Sequence, residues 1–496
     1  MNAGVALPTT EKKQSTDKHI ANDWVCPTFK VSGAFSSHMV LQQNKSIRVW
    51  GWATAIGSRI SGSFMGENVS STVAEGGRWE LVFSPHPYCR EGQQMLIFDE
   101  NGNSACFEDV LIGDVWLIGG QSNAELTVRP CMTLTPNWDF YEDDAFRLFI
   151  QSSIYVRSNE KFCFSPQPDV INSTWRWQKP SRNVALRFSA MGYFFAREVT
   201  KLSDVPLGMI VMAASGACIR EILPRELAHA EGYDYGALVC EGGYFNSLIH
   251  PFIGLSFKGM LFFQGESEAM TRELAEKYTY ELSLLVADQR RRFGFEFPFY
   301  NVQLSNYPHD GVKSFPFIDM LRLSQFDALK TIPNSTLTVD MDLGSPEDYE
   351  DWAHSPLKWE LGERLAKLAL AREYGIGDMS EAGSPMPQSA YLTADKKQIV
   401  IEFSGVGKGL IVSGNAPRES YGMSVAGFSL GDYDHRVEAS ACISGRTTVT
   451  VDIPEGYVLP EVLLINYAAS VAITPENATL RGGNNLPAPA FCLRLE

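Results

Sequence analysis

The sequence predicts an α/β protein, a doubly wound parallel sheet with a β-rich module before it and another after it. Two patterns predict this. In the middle of the chain, short apolar runs alternate with segments whose apolar residues recur at helical spacing, as in strands joined by helical crossovers. Towards both ends, apolar and polar residues alternate in short segments bounded by glycine or asparagine, as in antiparallel strands. With 496 residues, the chain is long enough for several domains.

The changes of pattern divide the chain into four segments. Residues 1–22 are polar and charged and are predicted to be disordered. Residues 23–108 predict a β-sandwich-like module, and residues 384–496 predict a second β-rich module. The α/β domain lies between them, over residues 109–383.

Five apolar runs within the α/β domain predict the strands of the parallel sheet, at residues 110–118, 207–213, 257–263, 297–304 and 336–341. Three stripes of apolar residues predict amphipathic helices between and after them, at residues 188–202, 270–293 and 357–368. Residues 125–185 are rich in Trp, Pro and Arg and predict a long irregular insertion. Such loops are uncommon unless they are functional, so we expect this one to lie over the mouth of a site.

Composition excludes several classes of partner. A formal net charge of −16 argues against nucleic acid or an anionic membrane surface as a partner. No run of about 18 apolar residues predicts a membrane span, and the first 30 residues lack the apolar core of a signal peptide. The nine scattered cysteines predict neither a disulfide framework nor a metal site. A cytoplasmic location is therefore expected, although a periplasmic or secreted chain that has lost its signal would look the same; the oligomeric state is left open.

The candidate nucleophile follows the first strand of the α/β domain. Residues 110–118 lead into Gly119-Gly120-Gln121-Ser122-Asn123, where two glycines break the strand sharply. In open α/β sheets, ligands bind beyond the carboxyl ends of the strands. Ser122 is therefore predicted to lie at the mouth of the sheet. A serine hydroxyl is a weak nucleophile, so it needs a base within hydrogen-bond reach.

The candidate base follows the last strand, in Asp351-Trp352-Ala353-His354. Histidine ordinarily titrates near pH ~6.5, which suits a general base at neutral pH. Asp351 lies three residues before His354, so a single turn can bring its carboxylate to the ring nitrogen that faces away from the serine. Ser355 and Pro356 then predict the N-cap and first turn of the next helix.

The remaining strand ends supply candidate donors for an oxyanion. These are the backbone N–H groups of Ser122 and Gly216 and the side-chain amide of Gln264. Each piece alone has a plain structural explanation, such as a turn or a packing glycine. Their occurrence at successive strand ends favours a single active site.

Three further polar residues, Gln121, Asn123 and Glu266, are expected to bind the substrate. Glu266 is also an alternative to Asp351 as the acid that orients His354. As a third possibility, it is a first-turn acid that complements the dipole of the helix at 270–293.

These stretches resemble the motifs of the sialate O-acetylesterase family of the SGNH (GDSL-like) serine hydrolases. The family's three blocks are similar to Gly113-Asp114-Val115-Trp116…Gly120-Gln121-Ser122-Asn123, to Lys258-Gly259…Gln264-Gly265-Glu266-Ser267 and to Asp351…His354-Ser355-Pro356…Lys358. The resemblance extends to both ends of the chain, at Ser37–Gln42, Val49–Ala53 and Asn485–Phe491.

The resemblance implies hydrolysis of O-acetyl esters on a carbohydrate, through a serine acyl-enzyme and without metal or another cofactor. It implies Ser122 as nucleophile, His354 as base and Asp351 as orienting acid, with Gly216 and Gln264 as oxyanion donors. The chain departs from the family pattern at Ala124, at Ser215 and at the extra Ser355 before Pro356. These departures concern the sugar specificity more than the chemistry.

The leading hypothesis is therefore a carbohydrate O-acetylesterase that resembles sialate 9-O-acetylesterases. An acetylxylan-type or other polysaccharide acetylesterase is an alternative. A carbohydrate-binding protein with little activity on the same fold is another, motivated by Ala124 and Ser215. A different SGNH reaction, on a lipid or thioester, has less support because the sequence predicts no broad apolar lid.

Overall fold

The structure, a computed structural model, describes residues 24–135, 140–151, 165–170, 176–230, 241–307, 313–345, 351 and 353–495. The segment predicted to be disordered, residues 1–22, lies outside the described residues. The described chain is a mixed α/β protein.

A parallel sheet forms the middle of the molecule. Its strands are β8 (Ser104–Gly120), β9 (Phe146–Phe149), β11 (Leu207–Ala213), β12 (Gly259–Phe263), β13 (Phe299–Gln303) and β14 (Ser335–Val339), and β10 (Trp177–Gln178) adds an antiparallel edge. They run in the order β10-β9-β11-β8-β12-β13-β14. The chain builds one side from β8 through β9 and β11, then crosses to β12 on the other side. The carboxyl end of β8 therefore lies where the strand order changes direction, which is where α/β sheets bind ligands.

The sequence analysis did not predict two strands of this sheet, β9 and β10. Residues 125–185 were expected to form a long irregular insertion, and that expectation was wrong for two segments: β9 pairs in parallel with β11 from Phe146 to Phe149, and β10 pairs with β9. In the part of the chain that the structure describes, the sheet has six parallel strands in this order, where five were predicted. Parts of the predicted insertion, residues 136–139, 152–164 and 171–175, lie outside the described residues.

Strand β8 joins the first β-rich module to the parallel sheet. Its first half pairs with an antiparallel strand of that module, and its second half is the central strand of the parallel sheet. Asp109 has a positive φ of 55°, at a point where the pairing of β8 with the preceding antiparallel strand shifts its register. The boundary predicted at 108/109 therefore falls inside a continuous strand. The other strands of the module are β1 (Phe29–Val31), β2 (Val40–Gln42), β3 (Ile47–Ala53), β4 (Arg59–Phe64), β5 (Glu67–Thr72), β6 (Arg78–Phe83) and β7 (Cys89–Asp99).

Helices cover the parallel sheet in two packed pairs. The described α-helices are α1 (Ser122–Glu125), α2 (Val128–Cys131), α3 (Arg182–Ala185), α4 (Ala190–Leu202), α5 (Ile219–Ile222), α6 (Arg225–Ala230), α7 (Arg272–Phe293), α8 (Ile318–Thr331), α9 (Lys358–Glu373) and α10 (Met379–Ala382). Helix α4 packs against α9, and α7 packs against α8. Short 3-10 and π turns lie at Met132–Leu134, Phe245–Ile249, His250–Phe252 and Glu268–Met270. Among the described helices, none combines the length and the apolar character that a membrane crossing requires.

The C-terminal module is antiparallel and packs on the last strand of the parallel sheet. It contains β15 (Met386–Leu392), β16 (Gln398–Ser404), β17 (Leu410–Val412), β18 (Phe428–Leu430), β19 (Val437–Glu438), β20 (Ala441–Ile443), β21 (Thr448–Asp452), β22 (Leu463–Tyr467), β23 (Leu480–Gly482) and β24 (Phe491–Leu495). Its core includes Phe326 of α8 and Leu337 and Val339 of β14. The first module and the helices around α4 share the other core.

Candidate active site

Ser122 lies at the carboxyl end of β8, as the first residue of the short helix α1. The backbone turn that leads to Ser122 requires glycine at position 120. There φ is +128°, and a Cβ atom would lie 2.0 Å from the carbonyl oxygen of Phe263. Directly after this contact, Gln121 N–H donates to the same carbonyl oxygen at 3.0 Å. Two adjacent strand ends are thereby held together, and Ser122 is half-buried at their edge.

Asp351 and His354 form a hydrogen-bonded pair. The Nδ1 atom of His354 lies 2.9 and 3.0 Å from the two carboxylate oxygens of Asp351. The same carboxylate accepts from the backbone N–H groups of Ala353 and His354, each at 3.2 Å. With the Nδ1 proton directed at Asp351, Nε2 carries the lone pair. Nε2 has no hydrogen-bond partner among the described residues.

Asn123 connects the loop of His354 to the helix of Ser122. Its Nδ2 atom donates to the carbonyl oxygen of Ala353 at 3.1 Å and to Oε1 of Glu266 at 2.6 Å. The structure therefore brings the residue after Ser122 into contact with the residue before His354. These two positions are 230 residues apart in the chain.

Glu266 is buried, and in the described structure its hydrogen-bond partners are Asn123 and Tyr307, while the partner of the His354 ring is Asp351. It is 3 % exposed, and its Oε1 also accepts from the hydroxyl of Tyr307 at 2.9 Å. Burial, together with the Glu266 carboxylate, raises the pKa of Tyr307, which keeps that hydroxyl protonated as a donor. Asp351 and not Glu266 is thus the carboxylate at the His354 ring.

Gln121 and Gln264 tie the strand-end loops together. Oε1 of Gln121 accepts from Nε2 of Gln264 at 3.1 Å and from the backbone N–H of Gly265 at 3.2 Å. The Gln264 amide also donates to the carbonyl oxygen of Ala217 at 3.1 Å and to the carboxylate of Glu268. Both N–H bonds of Gln264 are therefore engaged inside the protein.

The predicted substrate-binding residues Gln121, Asn123 and Glu266 are all buried, with 1 to 3 % exposure. Their side chains bond to protein groups: Asn123 donates to Glu266, and Gln121 accepts from the backbone N–H of Gly265. Gly216 is exposed and has a positive φ of 64°, and its carbonyl oxygen accepts from the Ser267 hydroxyl at 3.1 Å. The substrate and oxyanion roles assigned to these residues stay predictions.

Sequence reasoning missed two acids of the site. Glu268 is buried, and its Oε1 accepts from the backbone N–H of Ile219 at 2.6 Å. Burial raises the pKa of Glu268 to about 8. Glu125 accepts from the backbone N–H of Ser215 at 2.9 Å and from its hydroxyl at 3.0 Å, and so holds the Gly216 loop. A signal existed for each: Glu268 lies two residues after Glu266, and Glu125 three after Ser122.

One expectation about the helix after His354 was wrong. Helix α9 begins at Lys358, with Leu357 as its N-cap, so Ser355 and Pro356 precede it. The Ser355 hydroxyl donates to the carbonyl oxygen of Leu343 and accepts from the backbone N–H of Leu357 at 3.2 Å. Ser355 thereby fixes the His354 loop to the loop after β14. No cluster of three or more His, Cys, Asp or Glu side chains that could hold a metal occurs in the described parts of the chain.

Comparisons with known proteins point to one family. The sequence model of the family described as "Carbohydrate esterase, sialic acid-specific acetylesterase" matches residues 112–371. Among curated proteins, the chain is similar to the sialate O-acetylesterase of Homo sapiens, with 26 % identity over 407 residues, 74 % of this chain and 75 % of that protein. The Mus musculus sialate O-acetylesterase is 25 % identical over 431 residues, 74 % of this chain and 77 % of that one.

Among solved structures, the chain is similar to a carbohydrate acetylesterase from Xanthomonas citri. The TM-score is 0.75 and the sequence identity 26 %, over 94 % of this chain and 99 % of that chain. The similarity therefore covers both β-rich modules as well as the parallel sheet.

Proposed function

Because the chain belongs to the family of sialic acid-specific carbohydrate acetylesterases, and is a carbohydrate O-acetylesterase, we propose that it works by a serine mechanism with Ser122, His354 and Asp351. The observation that carries this proposal is the position of the His354 ring. Asp351 holds its Nδ1 atom, and Asn123 ties its loop to the helix that Ser122 begins.

The first half of the reaction forms an acetyl-enzyme. Nε2 of His354 takes the hydroxyl proton as the Ser122 oxygen attacks the ester carbonyl carbon. The tetrahedral intermediate then collapses, the bond to the sugar oxygen breaks, and the same nitrogen returns the proton to that oxygen. The sugar leaves as an alcohol and the acetyl group remains on Ser122.

The second half repeats these steps with water. His354 takes a proton from water as the water oxygen attacks the acetyl carbon. Collapse of this intermediate breaks the bond to Ser122, which regains its proton from His354, and acetic acid is released. Asp351 stabilises the imidazolium that forms in each half.

The negative charge of each tetrahedral intermediate needs donors. We assign this role to the backbone N–H groups of Ser122 and Gly216. The Gln264 amide, the third donor predicted from the sequence, would have to give up one of its present acceptors to take part. Gln264 and Glu125 support the assignment, because they hold the loop that carries Gly216 through Ala217 and Ser215.

Two finer features belong to the same proposal. The doubly wound arrangement of SGNH hydrolases is supported by the strand order and by the two helix pairs on the sheet. An O-acetylated sialic acid is the substrate we propose, which the names of the curated relatives support, and O9 is the position expected from the sequence resemblance. An acetylated xylan remains the alternative, and a cytoplasmic location stays a prediction.

Substitution of Ser122 tests the mechanism directly. Ser122→Ala and His354→Ala should each reduce kcat on an acetyl ester to less than a tenth of the wild-type value, because nucleophile and base act as a unit. Ser256→Ala is the matched control, since this serine lies just before β12, at the opposite edge of the sheet. A Ser122→Ala enzyme that keeps a tenth or more of the wild-type rate would show that Ser122 is not the nucleophile.

A further inference from the structure

The loop after β14, residues 340–345, is bonded to the chain on both sides of His354. The hydroxyl of Ser355, the next residue, donates to the carbonyl oxygen of Leu343. The Ser345 hydroxyl donates to the backbone carbonyl oxygen of Asp351 at 3.0 Å. Leu343, Ser345 and Ser355 are buried, with 3 to 9 % exposure. The position of the Asp351–His354 pair therefore depends on the position of this loop.

Asp342 anchors the loop through its carboxylate. Its Oδ1 and Oδ2 atoms accept from the two terminal nitrogens of Arg364, at 2.6 and 2.8 Å. Oδ2 also accepts from Nη1 of Arg481 at 3.0 Å. Although burial alone would raise it, the pKa of Asp342 is lowered, because the two arginines donate to the carboxylate. Asp342 is therefore charged at neutral pH, and charge-assisted bonds of this kind are strong and directional.

The two arginines come from different parts of the molecule. Arg364 lies on α9, the helix that follows the His354 loop, and Arg481 lies on β23 of the C-terminal module. Their side chains are 11 and 15 % exposed, so salt in the solvent screens these ion pairs less than it screens surface pairs. Asp342 thus joins α9 and the C-terminal module to the loop after β14.

The C-terminal module has other attachments to the α/β domain. Ala490 exchanges two hydrogen bonds with the side chain of Gln303, at 2.8 and 2.9 Å. Arg436 donates to the carboxylate of Asp319 on α8 at 3.0 Å. We therefore expect the module to stay docked when Asp342 loses its charge.

We propose that Asp342 is a positioning residue for the esterase reaction: held by Arg364 and Arg481, it fixes the loop that keeps the Asp351–His354 pair in place. The C-terminal module takes part in catalysis through Arg481. This inference rests on the proposed function, because it concerns the base of that mechanism. A displaced base slows both halves of the reaction, since the same nitrogen moves the proton in each.

Steady-state kinetics of Asp342→Asn on 4-nitrophenyl acetate test the inference. Asparagine keeps the size of the side chain but not the charge that both arginines require. Since a misplacement of ~1 Å in an active site can cost ~10²-fold and a smaller shift is expected here, kcat should fall about tenfold. The ratio kcat/KM should fall equally, because the base acts in the transition state and not in binding the ester.

Asp319→Asn is the matched control. The Asp319 carboxylate likewise accepts at 3.0 Å from an arginine of the C-terminal module, Arg436, but it lies in the first turn of α8. This variant should lose thermal stability and keep the wild-type kcat.

A double-mutant cycle separates positioning from a loss of stability. Ser355→Ala removes the hydroxyl that joins the loop to the His354 segment, so it should lower kcat by itself. If Asp342 acts through the same loop, the double variant Asp342→Asn/Ser355→Ala should be about as active as the slower single variant. Independent effects would instead multiply.

A second pair of variants applies if Asp342→Asn fails to fold. Arg481→Met should then lower kcat in the same direction but by less, because Arg364 still holds Asp342. Arg436→Met is its control, since the two side chains are 15 and 16 % exposed and each donates to a carboxylate at 3.0 Å.

Two results would overturn the inference. One is a variant at Asp342 or Arg481 whose kcat equals that of its control, and the other is a double variant whose loss is the product of the two single losses. Failure of the serine mechanism is distinguishable: Ser122→Ala would then keep its activity on 4-nitrophenyl acetate, whereas failure of the present inference leaves Ser122→Ala inactive.

Discussion

At the scale of single residues, the Asp351–His354 pair illustrates what a sequence can reveal. The two side chains are three positions apart on one loop, so their contact needs only a local turn, and the structure places them 2.9 Å apart. The contact of Asn123 with Ala353 spans 230 positions and depends on how the strand ends meet. No local sequence pattern predicts this contact, which is why the sequence analysis assigned Asn123 a role in binding the substrate.

The two candidate acids predict different kinetics. Asp351→Asn should lower kcat by up to ~10⁴-fold, by analogy with serine proteases, because the imidazole loses the partner that fixes its tautomer. Glu266→Gln should act more weakly, since Gln can still accept from Asn123 or Tyr307 in place of the carboxylate. The measurement is kcat and KM of both variants on one acetyl ester.

The opposite order would contradict this assignment. If Glu266→Gln is the variant that loses kcat, Glu266 orients His354 during turnover and Asp351 is a loop residue. Thermal unfolding of both variants controls for a loss of folded protein.

At the scale of elements, the strands that were predicted lie in longer runs made mostly of apolar residues. Strand β11 has the predicted bounds, and β12 and β13 lie within the predicted runs. Strand β9 was missed because its four residues include an arginine. Arg147 is fully buried there, and its guanidinium lies 3.2 Å from the Asp109 carboxylate. A sequence pattern counts that arginine as a surface residue, whereas the fold pairs its charge.

The turn between β8 and α1 should depend strictly on glycine. Gly120→Ala should lower the free energy of unfolding by ~2 kcal/mol or more beyond the effect of Gly66→Ala, because it adds a steric clash to the unfavourable φ. Gly66 is the matched control: its φ is +79°, and a Cβ atom there would meet nothing within 4 Å. Chemical denaturation of both variants gives the comparison. Equal losses in the two variants would show that the clash with Phe263 is relieved at no cost.

At the scale of the whole molecule, the composition of the cores could not be predicted. Alternating patterns predicted strands towards both ends of the chain, where the structure has strands, but not what those strands would pack against. The C-terminal module shares its core with α8 and β14, while the first module is continuous with the parallel sheet through β8. Such packing depends on which faces of different elements meet, and a pattern within one element does not contain that information.

Buried acids make global stability depend on pH. The pKa of Glu268 is raised from its ordinary value of 4.5 to about 8 by burial, so the folded protein holds this proton more tightly than the unfolded chain. The resulting stabilisation is complete below the unfolded value and is lost as the pH rises through about 8. Burial raises the pKa of Asp340 to about 6, which adds loss in the same direction.

Glu268→Gln should therefore flatten the pH profile of stability. Between pH ~5 and ~8.5, its free energy of unfolding should fall less than that of the wild type, because glutamine does not titrate. Asp340 is present in both proteins, so its effect cancels in the comparison. Glu455→Gln, at an exposed position, should keep the wild-type profile. Parallel profiles for Glu268→Gln and the wild type would show that Glu268 ionises normally in the folded protein.

The central claim is that an acetyl group passes through Ser122. Rapid acid quenching during turnover of an activated acetyl ester, followed by peptide mass spectrometry, tests it most directly. The account predicts an added acetyl group on the peptide that contains Ser122 in the wild-type enzyme, and none on that peptide in Ser122→Ala. An active enzyme that never carries acetyl on that peptide, or a Ser122→Ala enzyme that still turns over, would contradict it.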